Sequence, residues 1–248
     1  MAVWIYAIAS VVLVSVVSLM GILTLSLSGD RLKKILLFLV GFAVGALFGD
    51  VFIHLLPESF EKLGAGLATS LYVIMGFLIF FVLEKFIRWR HYNLHRSGEH
   101  IHPVVAMNII GDGVHNLIDG MLIAASYMVS IPIGITTTVA ILLHEIPQEI
   151  GDFGILVHGG LSVKKALLFN LLTGLFSILG AVISLVIGQH IDGYTISLLP
   201  ITAGGFLYIA GPDLIPELQQ EIRVSTSIWQ FISIILGVAI MALLVVLE

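Results

Sequence analysis

Residues 144–152 read HEIPQEIGD and place five polar or ionisable side chains in an otherwise apolar segment. The pattern His-Glu-x-x-His on a helix supplies two zinc ligands and the general base of zinc peptidases. Here Gln148 stands where that pattern has its second histidine, and Pro147 lies inside it. The stretch is therefore an altered peptidase site, a different metal site or a chance match, and its surroundings decide between these.

The surrounding composition is that of a membrane protein. The 248 residues are 58% hydrophobic and 11% charged, and the mean hydropathy is +1.11. A soluble domain carries about a quarter charged residues, so we expect a chain embedded in a lipid bilayer. Cysteine is absent, which excludes disulfides and thiolate metal ligands. The net charge of −5 gives no indication of a nucleic-acid partner.

The apolar segments predict an all-α polytopic membrane protein with eight transmembrane helices. A helix needs about 20 apolar residues to cross the hydrocarbon core, and the N-terminal segment is too long for a signal-peptide core, so we expect it to be retained. The predicted spans are residues 3–27, 34–57, 67–88, 103–128, 132–158, 164–188, 195–217 and 228–247. We expect these spans to form a single transmembrane domain over residues 1–248, with a histidine-containing cytoplasmic loop at about residues 89–102.

The basic residues predict the orientation of these spans. Every Lys and Arg except Lys62 lies in or beside an odd-numbered loop, so the positive-inside rule places those loops in the cytoplasm and both termini outside. The sequence LLPE at 55–58 ends span 2, and LIPE at 214–217 ends span 7. Because these spans run in opposite directions, the echo indicates an inverted repeat, with chance similarity as the alternative.

Ionisable residues inside a membrane usually mark a pathway or a site, and most of those here lie in spans 4 and 5. His115 follows Pro103 by twelve residues, and His144 follows Pro132 by twelve. Both histidines thus lie about 18 Å from the start of their span, close to the midplane of a core about 30 Å thick. The polar residues are Asp112, His115, Asn116 and Asp119 in span 4, and His144, Glu145, Gln148, Glu149 and Asp152 in span 5.

Residues four apart share a helix face, and this spacing recurs in both spans. The pairs are His115 with Asp119, His144 with Gln148, and Glu145 with Glu149. Two facing helices would offer imidazole, carboxylate and amide ligands to one or two divalent cations, a set that suits zinc, iron, manganese or cadmium. Helix packing through hydrogen bonds is the alternative use of such residues.

Four motifs carry a resemblance to the ZIP family of divalent-metal transporters. HNLIDG at 115–120 resembles the fourth helix of that family, and HEIPQEIGDFGIL at 144–156 resembles the fifth. GDVFIHLLPE at 49–58 and GGFLYIAGPDLIPEL at 204–218 are similar to the second and seventh helices. The resemblance implies a 3+2+3 inverted-repeat arrangement and transport of Zn²⁺, Cd²⁺, Fe²⁺ or Mn²⁺ toward the cytoplasm. It implies no enzymatic activity, with the metal as substrate and no organic cofactor.

The resemblance also implies a ligand set. One ion would be held by His115, Asp119, His144 and Gln148, and a second by Asn116, Glu145 and a bridging Asp119. Asn170 in span 6 lies where some family members place a further ligand. Close relatives in the histidine-rich subgroup have His or Glu in place of Gln148, so the metal preference of this chain depends on that residue.

Several further residues are candidates for the pathway. Asp50 and His54, four apart near the outer end of span 2, predict a site where metal enters, with capping and packing as the alternative. Asp112 would either orient the His115 imidazole or line an exit on the cytoplasmic side, and Asp152 and His158 would line that exit. Glu149 would support the ligands from outside the first coordination sphere or line the pathway. In the loop, His91, His95, His100 and His102 would capture arriving metal, or belong to an ordinary solvated loop.

Two alternative functions, and two uses of a glycine pattern, remain open at this point. The chain could be an intramembrane zinc-dependent hydrolase, or a metal-binding membrane sensor without flux. Gly41, Gly45 and Gly49 are spaced four apart in span 2, which permits close helix contact either within the protomer or in a homodimer. For a transporter of this kind, we expect the plasma (inner) membrane as the location.

Overall fold

Helices form nearly all of the computed structural model, which describes residues 2–22, 29–94, 103–191, 193–220 and 222–245. No strand occurs within these ranges, which confirms the all-α prediction. In chain order the elements are α1 (Ala2–Val17), α2 (Gly29–Gly49), the π-helical segment π1 (Asp50–Leu55), α3 (Leu56–Leu63), α4 (Leu67–Leu94), α5 (Pro103–Val129), α6 (Ile131–His158), α7 (Val163–Gly174), α8 (Phe176–Ile187), α9 (Tyr194–Tyr208), the π-helical segment π2 (Ile209–Leu214), α10 (Ile215–Gln219) and α11 (Val224–Val245).

Within the described residues, six helical stretches are long and apolar enough to cross a membrane, as in an integral multi-pass membrane protein. The polar helices α5 and α6 are not among the six, although they contain 27 and 28 residues. The six stretches are Ala2–Ile22, Lys34–Leu63, Leu67–Lys85, Val163–Ile187, Tyr194–Gln219 and Val224–Leu244.

Two of these stretches contain π-helical turns that the sequence pattern did not predict. π1 and π2 each end just before a Leu/Ile-Pro-Glu sequence, at Pro57 and Pro216. Proline has no N–H and its ring clashes with the carbonyl four residues earlier, and a wider π turn accommodates that break in the hydrogen-bond ladder. The two echoing motifs thus share the same local backbone irregularity.

Other boundaries also differ from the predicted spans. The stretch predicted as span 6 divides at Leu175 into α7 and α8. α4 continues to Leu94, so residues 89–94 of the predicted loop are helical, whereas residues 95–102 lie outside the described ranges, as do the side chains of His91 and His158. α6 remains helical through Pro147.

The polar helices α5 and α6 lie at the centre of the bundle. They pack against each other, and between them they contact helices from both ends of the chain: α1, α2 and α4 on one side of the sequence, and α7, α8 and α9 on the other. Outside this pair, α2 packs along α11 and α4 packs along α9. The arrangement places the predicted metal-binding motifs in the interior.

Glycines allow the central helix α5 to approach α8 closely. A Cβ atom added at Gly120 would collide with the carbonyl of Ser177, and one added at Gly180 would collide with the carbonyl of Leu117. Because each glycine faces the backbone of the other helix, neither can carry a side chain without separating the helices.

The glycines of span 2 pack within the protomer. Gly41, Gly45 and Gly49 face α11, and a Cβ atom at Gly45 would collide with the carbonyl of Ile234. Contact within the chain therefore explains their four-residue spacing.

Candidate metal centre

Four side chains converge where α5 contacts α6. One ligand atom from each of these residues lies within 4.8 Å of the other three. The two histidines are those that the sequence placed at one depth, and both carboxylates come from the same two motifs. The four residues, called the central cluster below, are His115, Asp119, His144 and Glu145.

The separations within the central cluster suit a single small cation. The Nε2 atoms of His115 and His144 are 3.3 Å apart. His144 Nε2 lies 3.1 Å from Asp119 Oδ2 and 3.7 Å from Glu145 Oε1, and His115 Nε2 lies 3.7 Å and 3.3 Å from the same oxygens. Tetrahedral zinc with bonds of about 2.0–2.2 Å holds its ligands roughly 3.3–3.6 Å apart. One zinc ion would therefore need only small movements of these side chains.

His144 is oriented for metal binding by its second ring nitrogen. Nδ1 lies 3.1 Å from the carbonyl oxygen of Ala140, one turn earlier in α6. Because a carbonyl can only accept, Nδ1 carries the proton and donates, which leaves the lone pair on Nε2 facing the central cluster. Metal-bound histidines usually have their other nitrogen fixed in this way.

The central cluster lies in an apolar setting. Asp119, His144 and Glu145 are at most 1% exposed, and the rings of Phe80 and Phe206 lie edge-on to His115 and His144 at 6.1 Å and 6.0 Å. A buried charge is costly unless it is paired. Two carboxylates together with two neutral imidazoles balance the charge of one divalent cation, so this setting favours such an ion.

A cavity of about 370 Å³ lies beside the central cluster. His115 and Gln148 line it next to the cluster, and it extends toward the start of α5 and the end of α6, where Asp112 and Asp152 line it. A small cation thus has an open space on one side of the central cluster, with carboxylate and amide side chains in its mixed polar and apolar lining.

A sequence profile described as ZIP Zinc transporter matches residues 1–105 and 95–245. The chain belongs to this family. Zinc transporter zipt-7.1 of Caenorhabditis briggsae is 29% identical over 99% of this chain and 80% of that protein. Zinc transporter ZIP13 of Pongo abelii is 36% identical over 83% of this chain, which spans 65% of that protein. The ZIP13 homolog of Drosophila melanogaster is 30% identical, and the match covers 87% of this chain and 79% of that protein.

Membership in the ZIP family confirms the resemblance drawn from the four motifs. The family is one of transporters and not of enzymes, so HEIPQE at 144–149 is not a degraded peptidase motif. The hydrolase alternative is not favoured. The His, Asp and Glu residues that the motifs pointed to lie close enough together that they could hold a metal ion.

The remaining candidate ligands lie around the central cluster. Asn116 is buried and donates through Nδ2 to Asp112 Oδ1 at 2.8 Å, while its Oδ1 accepts no hydrogen bond from the described residues. Asn170 donates to the carbonyl oxygen of Glu149 at 3.1 Å, which brings α7 against α6. Gln148 lines the cavity beside His115, and Glu145 is the fourth member of the His, Asp and Glu group.

Three residues at the cavity were not predicted from the sequence. Asn108 donates to Asp152 Oδ1 at 2.5 Å and links α5 to α6. Glu84 of α4 accepts a hydrogen bond from Tyr208 of α9, and both line the cavity. Asn108 precedes His115 by seven residues and so shares its helix face, a signal that could have identified it. Tyr208 gave no such signal within its apolar motif.

The predicted outer site is buried inside the protein. His54 Nδ1 lies 3.5 Å from Asp50 Oδ1, and both side chains are almost fully buried in π1. This pair is not part of the central cluster, so its role in admitting metal stays a prediction.

Proposed function

We propose that this ZIP protein carries divalent cations across the membrane, Zn²⁺ first among them, through the central cluster. The observation that supports this is that the two imidazole nitrogens lie 3.1–3.7 Å from each other and from one oxygen each of Asp119 and Glu145. A structural zinc site would be closed on all sides, whereas this one borders a cavity. The relatives named as zinc transporters support the choice of metal.

A second ion would lie next to the first. Asn116 Oδ1 and Asn170 Oδ1 are buried and have no hydrogen-bond partner in the described parts of the chain. Oxygen atoms of this kind, together with the second oxygens of Asp119 and Glu145, are ligands for a divalent cation. Gln148 would join whichever ion lies nearer the cavity.

We propose the topology that the sequence predicts: eight spans, a 3+2+3 inverted repeat, and both termini outside. The matching positions of π1 and π2 before Pro57 and Pro216 support a repeat. With that orientation the cavity faces the cytoplasm, so Asp112 and Asp152 would receive ions leaving the central cluster, and Asp50 and His54 would meet ions arriving from outside. The plasma (inner) membrane is the proposed location.

Zinc uptake into proteoliposomes tests the function. Purified protein is reconstituted around a zinc-sensitive dye, and uptake is compared with protein-free vesicles and with His144→Ala. We expect zinc-dependent influx that the substitution abolishes. Protein that binds zinc but gives no more influx than empty vesicles would support a sensor instead. Influx that is equal in wild type and His144→Ala would contradict passage through the central cluster.

A further inference from the structure

Two buried hydroxyl groups lie on the side of the central cluster opposite the cavity. Ser126 of α5 and Thr137 of α6 are 1% and 0% exposed. Neither hydroxyl has a hydrogen-bond partner among the residues that the structure describes. Neighbouring threonines differ, since Thr136 donates to the carbonyl of Ile133 and Thr138 to that of Gly134, at 3.0 and 2.6 Å.

The helix register brings Ser126 and Thr137 to one level. Ser126 follows Asp119 by seven residues, and Thr137 precedes His144 by seven. Seven residues are two turns, or about 10.5 Å, and return to nearly the same helix face. Because Asp119 and His144 face each other at 3.1 Å, Ser126 and Thr137 lie on the facing sides of α5 and α6.

An independent contact supports this register. Next to the two hydroxyl groups, Tyr127 and Thr138 meet across the same helix pair, with 3.5 Å between their side-chain oxygens. On the other side of the central cluster, Asn108 meets Asp152. The two helices therefore keep one antiparallel register from the cavity to the level of Ser126 and Thr137.

The position of the pair matters for an ion that crosses the membrane. This cavity borders the side of the central cluster that carries Asn108 and Asp152, and an ion that crosses the membrane must also traverse the other side, where the opposite half of the helix pair lies. There, Ile123 and Ile141 are fully buried between the cluster and the hydroxyl pair. A pair of polar groups beyond these apolar side chains would lower the free-energy barrier that a partly hydrated ion meets on crossing this region.

An unpaired buried hydroxyl is unfavourable, and alanine or valine would fill the same space without that cost. We propose that Ser126 and Thr137 form a second binding station on the transport path, which takes a partly hydrated divalent cation through their two hydroxyl oxygens. The station is neutral, so it binds the ion weakly and releases it readily, as conduction requires. This inference rests on the proposed function, because it assumes passage through the central cluster.

Thiol labelling tests the station without depending on flux. The chain contains no cysteine, so Ser126→Cys and Thr137→Cys each introduce a single thiol of similar size. Thr138→Cys is the matched control, because its native hydroxyl is bonded to its own helix. In proteoliposomes we expect a charged, water-soluble methanethiosulfonate reagent to modify both test positions at least tenfold faster than the control, and saturating zinc to slow that reaction. Equal rates at all three positions would overturn the proposal.

Zinc uptake by variants with conservative substitutions is the second test of the station. We expect Ser126→Ala and Thr137→Val each to lower zinc uptake about five-fold, the effect of one lost hydrogen bond, with zinc binding at the central cluster unchanged and thermal stability unchanged or higher. The double variant should fall little further than either single variant, since both groups hold one ion. Ser233→Ala, whose hydroxyl donates within α11, is the control. Uptake that stays at the wild-type level in both variants would contradict the station.

The two arms separate this inference from the proposed function. If wild-type protein shows no influx, the proposed function fails, while the labelling rates still report whether water and ions reach Ser126 and Thr137. If wild type transports zinc but labelling and uptake do not distinguish these positions from their controls, only the station is wrong.

Discussion

Nε2 of His144 lies 3.1 Å from Oδ2 of Asp119, although the two residues are separated by a helix end and a helix start. Only Ser130 separates α5 from α6, and its hydroxyl accepts a hydrogen bond from the backbone N–H of Ile133. Pro132 in the first turn suits the start of α6. The short connection therefore sets the antiparallel register on which the central cluster depends.

Removing one imidazole should destroy zinc binding. His144→Ala deletes a ligand whose Nε2 lies within 3.7 Å of the other three residues of the central cluster. Loss of groups that merely support ligands already costs about 10–100-fold in affinity, so we expect more than about 100-fold here. Isothermal titration calorimetry of zinc in detergent measures this.

The control for that substitution is His190→Ala, at an exposed histidine outside the bundle. It should bind zinc as wild type does. If both variants bind equally well, the central cluster is not the principal zinc site.

Zinc should stabilise the folded protein. A ligand that binds only the native state adds about 2.7 kcal/mol at a concentration of 100 times its Kd. We expect zinc to raise the thermal denaturation midpoint of wild type and a chelator to reverse this, with no shift in a variant carrying both Asp119→Asn and His144→Ala. A shift of equal size in that double variant would place the stabilising site elsewhere.

Much of the fold follows from the sequence, for physical reasons that can be named. Apolar length identifies membrane-crossing helices because hydrocarbon thickness fixes the length required. Hydropathy does not report the hydrogen-bond pattern within a helix, so π1 and π2 were not predicted. Pro57 and Pro216 could have indicated an irregular turn just before them. The break at Leu175 directly follows Gly174, a residue type that weakens helices, but the continuous apolar pattern around it predicted one unbroken span.

The residues of the candidate site could be predicted where the spacing along one helix and the depth in the membrane were enough to identify them. His115, Asp119, His144 and Glu145 were named from their motifs, and the structure brings them together. Which four would group depends on how α5 and α6 are rotated against each other, which one sequence does not specify. Contacts between distant segments of the chain could not be predicted either, because they too depend on how the helices pack. The hydrogen bond from Tyr208 to Glu84 is an example.

Close packing of α5 against α8 should be sensitive to a single methyl group. Gly120→Ala places a Cβ against the carbonyl of Ser177, and overpacking of this kind costs about 1–3 kcal/mol. Gly66→Ala is the control, because nothing lies within 4 Å of a Cβ there. Thermal denaturation in detergent should show a lower midpoint for Gly120→Ala alone. Equal midpoints would mean that the helices can separate without loss.

Lengthening the connection at Ser130 should disrupt the metal site without removing any ligand. One glycine inserted after Ser130 lets α6 turn by about 100° or shift by about 1.5 Å relative to α5. We expect zinc affinity to fall at least tenfold. The same insertion after Gly66, in the connection before α4, should leave affinity unchanged. Unaltered affinity after the Ser130 insertion would show that packing against other helices, and not the connection, sets the register.

Gln148 should determine which metal the protein prefers. It lines the cavity beside His115 and lies one turn beyond His144 on α6. Gln148→His adds an imidazole, which binds zinc better than an amide oxygen does, so we expect tighter zinc binding and a shift in selectivity toward zinc over manganese. Maximal flux should stay the same or fall, because a tightly held ion leaves slowly. Gln148→Glu adds negative charge instead and should favour two bound cations. Competition among Zn²⁺, Cd²⁺, Fe²⁺ and Mn²⁺ in the uptake assay measures the preference, and identical selectivity in wild type and both variants would mean that Gln148 does not contact the ion.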